Sequence, residues 1–250
     1  MLHEIVTWEY AFLFITVVFA YYVKAITGFG NTLIMGSLFS FVVPNTVTTP
    51  VDLLIGSPAN GYMVWRERRS ISFKGAAPLA LLTVAGAIPG VFFLKMGADW
   101  LLKALLGLII IGLAIQIAAQ RNGSRQKKSH PAVLAVVGLI SGVLTGVFGI
   151  GALVAVYFNK TAENKSQCRS NMCFVFMIEG IFRFILYLAT GILTKNIMIM
   201  AAALLPAVVI GMALGTKTDK YIDETKMRYI VIALLIVSGA TLFVRNMFFH

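Results

Sequence analysis

The stretch Ala25-Ile-Thr-Gly-Phe-Gly-Asn-Thr-Leu-Ile-Met-Gly36 sets glycines and polar residues between two long apolar runs. Glycine tolerates positive φ angles and lets backbone segments approach closely, so Gly28 and Gly30 predict a break between two helices. A related stretch, Gly-Val-Phe-Gly-Ile-Gly-Ala-Leu, occupies residues 146–153. The two stretches predict two related halves, each with a glycine break inside a hydrophobic hairpin.

The composition favours a membrane protein over a soluble one. Hydrophobic residues make up 59% of the 250 residues and charged residues 12%, whereas a soluble domain has about 45–50% and 25%. We therefore expect an all-α integral membrane protein with ten apolar segments, at residues 8–24, 26–43, 47–65, 76–95, 99–119, 132–148, 149–158, 168–189, 196–215 and 226–246. The seventh segment is too short to cross a bilayer about 30 Å thick, so we expect re-entrant or broken helices there.

The basic residues of the loops fall into two unequal sets when the chain alternates sides. The larger set is Arg66, Arg68, Arg69, Lys74, Arg121, Arg125, Lys127, Lys128, Lys160, Lys165, Arg169, Lys217, Lys220, Lys226 and Arg228. The opposite set is Lys95, Lys103, Lys195 and Arg245. Because short cytoplasmic loops are enriched in Lys and Arg, we expect a multi-pass protein of the inner (cytoplasmic) membrane with both termini outside the cytoplasm. Topology then explains the net charge of +11 without nucleic acid.

The N-terminal apolar run over residues 11–23 is expected to be a retained span, since no small-residue cleavage site follows it. Glycines recur in the same order in both halves: Gly86 and Gly90 match Gly211 and Gly215. We expect a first transmembrane repeat over 1–120, a basic cytoplasmic linker over 121–131 and a second repeat over 132–250. Five segments in each half predict that the repeats have inverted topology, a plan common among secondary transporters.

The two breaks are candidate anion sites, because a helix that starts in a low-dielectric region offers unpaired N–H groups and the positive end of its dipole. The candidates are Gly28, Gly30, Asn31 and Thr32 in the first half and Gly149 and Gly151 in the second. The alternative is that the break glycines only permit close helix packing. For Gly86/Gly90 and Gly211/Gly215 that packing interpretation is favoured, given their four-residue spacing.

Charges inside membrane segments are the other candidates, since each costs at least ~2.5 kcal/mol to place there. Asp52 and Asn60 share a helix face, and so do Asn171, Glu179 and Arg183, whose helix opens with Arg169 and Ser170. Lys24 is expected to face the cavity near Asp52. Glu179 and Arg183 are four residues apart, and a purely structural pair remains an equal alternative.

Several chemistries are not indicated by the sequence. His3, His130 and His250 lie at the termini or in a loop, so no histidine metal site or catalytic triad is expected. We expect no cofactor, no metal and no enzymatic activity. Cys168 and Cys173 are expected to be free thiols.

Together these motifs resemble the sulfite exporter TauE/SafE family of membrane anion transporters. The resemblance rests on Gly28-Phe-Gly30, on the Gly-x-Phe-Gly-Ile-Gly of residues 146–151, and on the Cys168-Arg-Ser-Asn171 stretch that leads to Glu179. It implies export of sulfite, organosulfonates or related small anions. Family members usually carry further glycines after each break, where this chain has Asn31-Thr32 and Ala152-Leu153.

The leading hypothesis is a secondary transporter, working as an exporter, of a small anion by alternating access at a midplane site. Asp52 or Glu179 is the expected carrier of a coupled proton, and a homodimer is left open. The alternative is a membrane-embedded assembly or scaffold subunit without transport activity. A channel is a weaker third interpretation.

Overall fold

The computed structural model describes residues 7–119, 131–219, 221, 232–233, 236–237, 239–241 and 243–244. The basic linker expected at 121–131 lies outside these residues except for Pro131, and so does more than half of the last apolar segment, 226–246. Met1 to Val6 and the C-terminal residues lie outside them as well, so the domain boundaries and the sides of the two termini stay predictions.

The described chain is all-helical, which confirms the expected fold class. The helices are α1 Thr7–Thr27, α2 Asn31–Phe39, α3 Asn45–Arg66, α4 Phe73–Met96, α5 Asp99–Ala119, α6 Pro131–Phe148, α7 Ala152–Thr161, α8 Lys165–Ala189 and α9 Lys195–Thr218. A 3-10 turn over Arg68–Ser70 joins α3 to α4. Strands are absent from the residues that the structure describes.

Five helices of the described chain are long and apolar enough to cross a membrane: Trp8–Thr27, Phe73–Met96, Pro131–Phe148, Ser166–Ala189 and Lys195–Thr218. Their exposed side chains include Ile15, Leu81 and Val209, each about two-thirds exposed, as expected of helix faces that meet lipid. The protein is therefore a multi-pass membrane protein.

The second expected segment, 26–43, is not one helix. Helix α1 continues to Thr27, the chain breaks at Gly28–Gly30, and α2 has only nine residues. Helix α7 has ten residues. At 1.5 Å per residue each of these short helices is about 14–15 Å long, so neither crosses a bilayer of about 30 Å.

The paired glycines of α4 and α9 confirm the packing interpretation, because each lies against the backbone of a neighbouring helix. A Cβ added at Gly86 or Gly90 would collide with the backbone of Leu139 or Val143 in α6. A Cβ at Gly215 would meet the carbonyl oxygen of Tyr22 in α1. These seams hold α4 against α6 and α1 against α9, because only glycine permits such close backbone contact.

Most described basic residues of the larger set lie at one end of the bundle, here called the basic end. It comprises the α3–α4 connection, the α7–α8 connection and the end of α9, with Arg66, Arg68, Arg69, Lys74, Lys160 and Lys217. Contacts across it include Arg66 Nη1 to Thr216 Oγ1 at 3.4 Å and Asn171 Oδ1 accepting from Ser72 N at 2.8 Å. Lys95 and Lys195 lie at the opposite ends of α4 and α9.

Candidate functional site

Both glycine breaks and the polar middle of α3 and α8 line one cavity. The volume of this cavity is about 520 Å³, which includes the part that is open to the surface. Ten of the residues predicted from the sequence line it: Lys24, Gly30, Asn31, Thr32, Asp52, Asn60, Gly149, Gly151, Glu179 and Arg183. Residues from distant parts of the chain therefore meet at one place.

The first break needs glycine for its backbone conformation. Gly28 and Gly30 have φ angles of +86° and +95°, a region that other residues rarely adopt. Gly30 is the N-cap of α2, and no side chain caps that helix. The N–H groups of the first turn of α2 therefore face the cavity side without a side-chain acceptor.

The second break combines one left-handed glycine with one that is sterically confined. Gly149 has φ of +73°, and a Cβ there would lie 2.9 Å from Thr32 Cγ2 and 3.5 Å from Asp52 Oδ2. Gly151, the N-cap of α7, has φ of −99° and also lacks a side-chain cap. A Cβ at Gly151 would overlap the Phe176 ring, so any other residue there would force this ring to move. Gly149 therefore brings the second break into contact with Thr32, next to the first break.

Lys24 and Asp52 are linked through Asn31. The buried Lys24 ammonium donates to Asn31 Oδ1 at 3.1 Å, and Asn31 Nδ2 donates to Asp52 Oδ1 at 2.8 Å. The Thr32 hydroxyl donates to Asp52 Oδ2, and the Tyr21 hydroxyl donates to Oδ1 at 3.4 Å. The carboxylate is therefore well satisfied. The ammonium has three donors but, within the described chain, uses one of them.

Glu179 and Arg183 form an ion pair across one turn of α8, with Arg183 Nε 3.1 Å from Glu179 Oε1. The guanidinium also donates to the carbonyl oxygen of Thr145 at the end of α6 and lies 6.0 Å from the Tyr187 ring centre. Both charged side chains are buried. The pair is therefore neutralised locally while it still lines the cavity.

A family model of sulfite exporter TauE/SafE matches residues 13–242. The chain belongs to this family. The probable sulfite/organosulfonate exporter TauE of Cupriavidus necator is 24% identical over 229 residues, 88% of each chain. The probable membrane transporter protein ORF9 of a Sinorhizobium species is 29% identical over 148 residues, 56% of each chain. No solved structure matches the chain.

Membership of the TauE/SafE family confirms the resemblance and identifies the protein as a membrane transporter of a family named for export rather than for catalysis. Within residues 7–119 and 131–219, no three His, Cys, Asp or Glu side chains lie together as a metal site requires. The cavity chemistry available to this family member is that of ammonium, guanidinium, amide and backbone N–H groups toward an anion.

Four predicted site residues of this TauE/SafE protein do not line the cavity. Gly28 packs against Arg169, and Arg169 pairs with Glu67 and Asp219 toward the basic end. Ser170 Oγ donates to the carbonyl of Gln167, one turn earlier in α8. Asn171 accepts from the backbone N–H of Ser72. Each begins a helix or flanks a break, but none reaches the cavity.

Other lining residues were not predicted, chiefly Phe29, Ser57, Thr145 and Phe176. Thr145 carries a usable signal, because it lies one turn before Gly149 on a helix that leads into the break. Phe176 gives no such signal. An aromatic residue in an apolar span is ordinary, and only the packing of α8 against Gly151 reveals its position.

Proposed function

We propose that this protein is a secondary transporter that exports a small anion, such as sulfite, an organosulfonate or a related carboxylate, by alternating access at a site between its halves. The observation that carries the proposal is the Lys24 ammonium. It is buried in a membrane helix, lines the cavity, and has one side-chain hydrogen-bond partner in the described chain. Family membership and the name of the Cupriavidus relative, a probable sulfite/organosulfonate exporter, support the same class of substrate.

The cavity offers an anion several donors at once. Among the described residues the ammonium uses one of its three donors, and the N-cap residues of α2 and α7 are glycines, which offer no side-chain cap to the first N–H groups of these helices. An anion placed there gains charge-assisted hydrogen bonds and favourable helix dipoles. Asn60 adds a buried amide whose Oδ1 has no partner among the described residues. Because this oxygen only accepts hydrogen bonds, it can bind a donor group of the substrate, such as a hydroxyl or a protonated acid oxygen.

Alternating access is proposed from the arrangement of the halves. Each half has a long helix, a glycine break, a short helix and two further long helices, as α1 to α4 and α6 to α9 show. Asn45 Nδ2 donates to the carbonyl of Val147 at 2.9 Å, so the start of α3 contacts the end of α6. Inverted repeats of this kind commonly hold substrate where broken helices meet, and rocking of one repeat exposes the site to each side.

A coupled proton follows from the charge balance of the site. Lys24 and Arg183 are matched by Asp52 and Glu179, so the formal charges that line the cavity sum to zero. An added monoanion leaves one excess negative charge in a low-dielectric region, which protonation of one carboxylate removes. We expect anion binding to tighten as pH falls and to take up protons. Acidification coupled to anion flux, followed with a pH dye in liposomes, checks this.

The basic end is proposed to face the cytoplasm of a cell with an inner membrane, in line with the positive-inside rule. Export then requires the cavity to load from the basic end and to release at the end that carries Lys95 and Lys195.

Substitution of the two cavity cations tests the site. Lys24→Ala and Arg183→Ala are each reconstituted in proteoliposomes, with Lys195→Ala at the far end of the bundle as the control. Each cavity variant loses a charge-assisted contact of about 1.5–3 kcal/mol, which corresponds to roughly 10–150-fold weaker substrate affinity. Sulfite or sulfoacetate flux should fall accordingly while the control keeps it. Undiminished flux in both cavity variants contradicts the site.

A further inference from the structure

Arg169 lies outside the cavity but at the centre of a buried ionic cluster. Its Nη2 is 2.5 Å from Glu67 Oε1, and its Nη1 is 3.2 Å from Asp219 Oδ2 and 3.0 Å from the carbonyl oxygen of Ala25. The side chains of Arg169 and Glu67 are both less than a tenth exposed. The cluster thus ties together the ends of α1, α3 and α9 and the first turns of α8.

The cluster lies between the cavity and the basic end. Arg169 precedes Glu179 by ten positions in α8, about 15 Å along the helix axis. Glu67 and Asp219 are the C-caps of α3 and α9. A path from the cavity to the basic end must therefore pass this level of the bundle.

The first turns of α8, which carry Arg169, also pack against the first glycine break. A Cβ at Gly28 would lie 2.7 Å from Arg169 Cγ and 3.2 Å from Met172 Cε. The Cys173 thiol lies 3.8 Å from the Gly28 carbonyl oxygen, and both Met172 and Cys173 are fully buried. Arg169, Met172 and Cys173 form a continuous layer, here called the floor, beneath the break.

We propose that the Arg169–Glu67–Asp219 cluster is the gate that closes the cavity toward the basic end, and that the structure represents the state with this gate closed. The proposal rests on the proposed function in that a gate serves a carrier. Two carboxylates on different helices share one guanidinium, so α3 can move away while Arg169 keeps Asp219. Arg169 then keeps a carboxylate partner whether or not α3 has moved. The buried guanidinium is never unpaired, which makes two discrete states accessible.

Cys173 provides a native reporter of the gate. The chain has two cysteines, so in a Cys168→Ala background Cys173 is the only thiol, and it is 0% exposed in the closed floor. The measurement is the rate at which a membrane-impermeant maleimide labels Cys173, in vesicles of each orientation. Arg169→Gln and Glu67→Gln are compared with Arg69→Gln, which removes an exposed charge from the same end.

Both gate variants should label faster than the control by about tenfold or more, because labelling scales with the population of the open state. The increase should appear only when the reagent is on the side of the basic end. Gel filtration and thermal unfolding verify that the variants fold. If Arg169→Gln does not fold, Glu67→Gln decides, since it keeps Arg169 and its contact with Asp219.

Two results overturn the gate. Folded variants that label no faster than Arg69→Gln show that the cluster does not control access. Equal labelling from both sides shows a general loss of packing. The measurement needs no substrate, so a protein without anion flux but with side-specific labelling refutes the proposed function and keeps the gate.

Discussion

Replacement of Gly142 by alanine tests the seam between α4 and α6. An added Cβ would overlap the Thr83 carbonyl oxygen and lie 2.7 Å from Gly86 Cα and 2.9 Å from Ala87 N. These are backbone atoms, so no side-chain rotation relieves the overlap and the two helices must separate. Gly61 in α3 is the matched control, since a Cβ there meets nothing within 4 Å.

The two substitutions should change stability in opposite directions. Overpacking costs about 1–3 kcal/mol, whereas an unhindered Gly→Ala change inside a helix gains about 0.5–1 kcal/mol. Gly61→Ala should therefore match or exceed the parent in thermal unfolding in detergent, and Gly142→Ala should unfold several degrees lower. Because α6 leads into Gly149, flux should fall as well. Equal unfolding temperatures for the two variants refute the close packing of this seam.

Two further predictions concern the cavity. Asn31→Ala leaves the buried Lys24 ammonium without its side-chain partner in the described chain and removes one of three donors to the Asp52 carboxylate, so it should lower the free energy of unfolding by about 1–3 kcal/mol. Tyr21→Phe, which removes only a 3.4 Å contact, should cost less than about 1 kcal/mol; equal effects contradict the bridging role of Asn31. Glu179→Gln should lower the free energy of unfolding by about 3–5 kcal/mol, because it removes the counter-charge of the buried Arg183 guanidinium. The double variant Glu179→Leu/Arg183→Met removes both charges and should fold nearly normally. Wild-type flux by that double variant shows that the pair is structural only.

Much of the candidate site was predictable from the sequence, because charged and amide side chains are rare in membrane-spanning segments. Charged and amide side chains cost free energy inside apolar spans, so Lys24, Asp52 and Arg183 could be recognised as candidate site residues from the sequence. The left-handed glycines at Gly28, Gly30 and Gly149 followed from the break pattern. The packing seams followed from the four-residue spacing of glycines.

The parts that were not predicted depend on packing between distant elements. The pattern at the start of α8 did not reveal that Arg169 would reach Glu67 and Asp219 instead of the cavity. Gly151 was expected to matter for its backbone, but its φ of −99° is ordinary and the Phe176 ring is the constraint. The break at Gly28–Gly30 was predicted, but the sequence left the length of the helix after it open, since α2 is as apolar as a span.

Counterflow by the purified protein alone tests whether the protein is a carrier. Proteoliposomes loaded with unlabelled sulfite or organosulfonate are diluted into a trace of the labelled anion, with Lys24→Ala as the paired sample. We expect transient, saturable accumulation of label by the parent protein and little or none by the variant. Non-saturable equilibration indicates a channel. Absence of sulfite and organosulfonate flux from folded protein contradicts the proposed carrier.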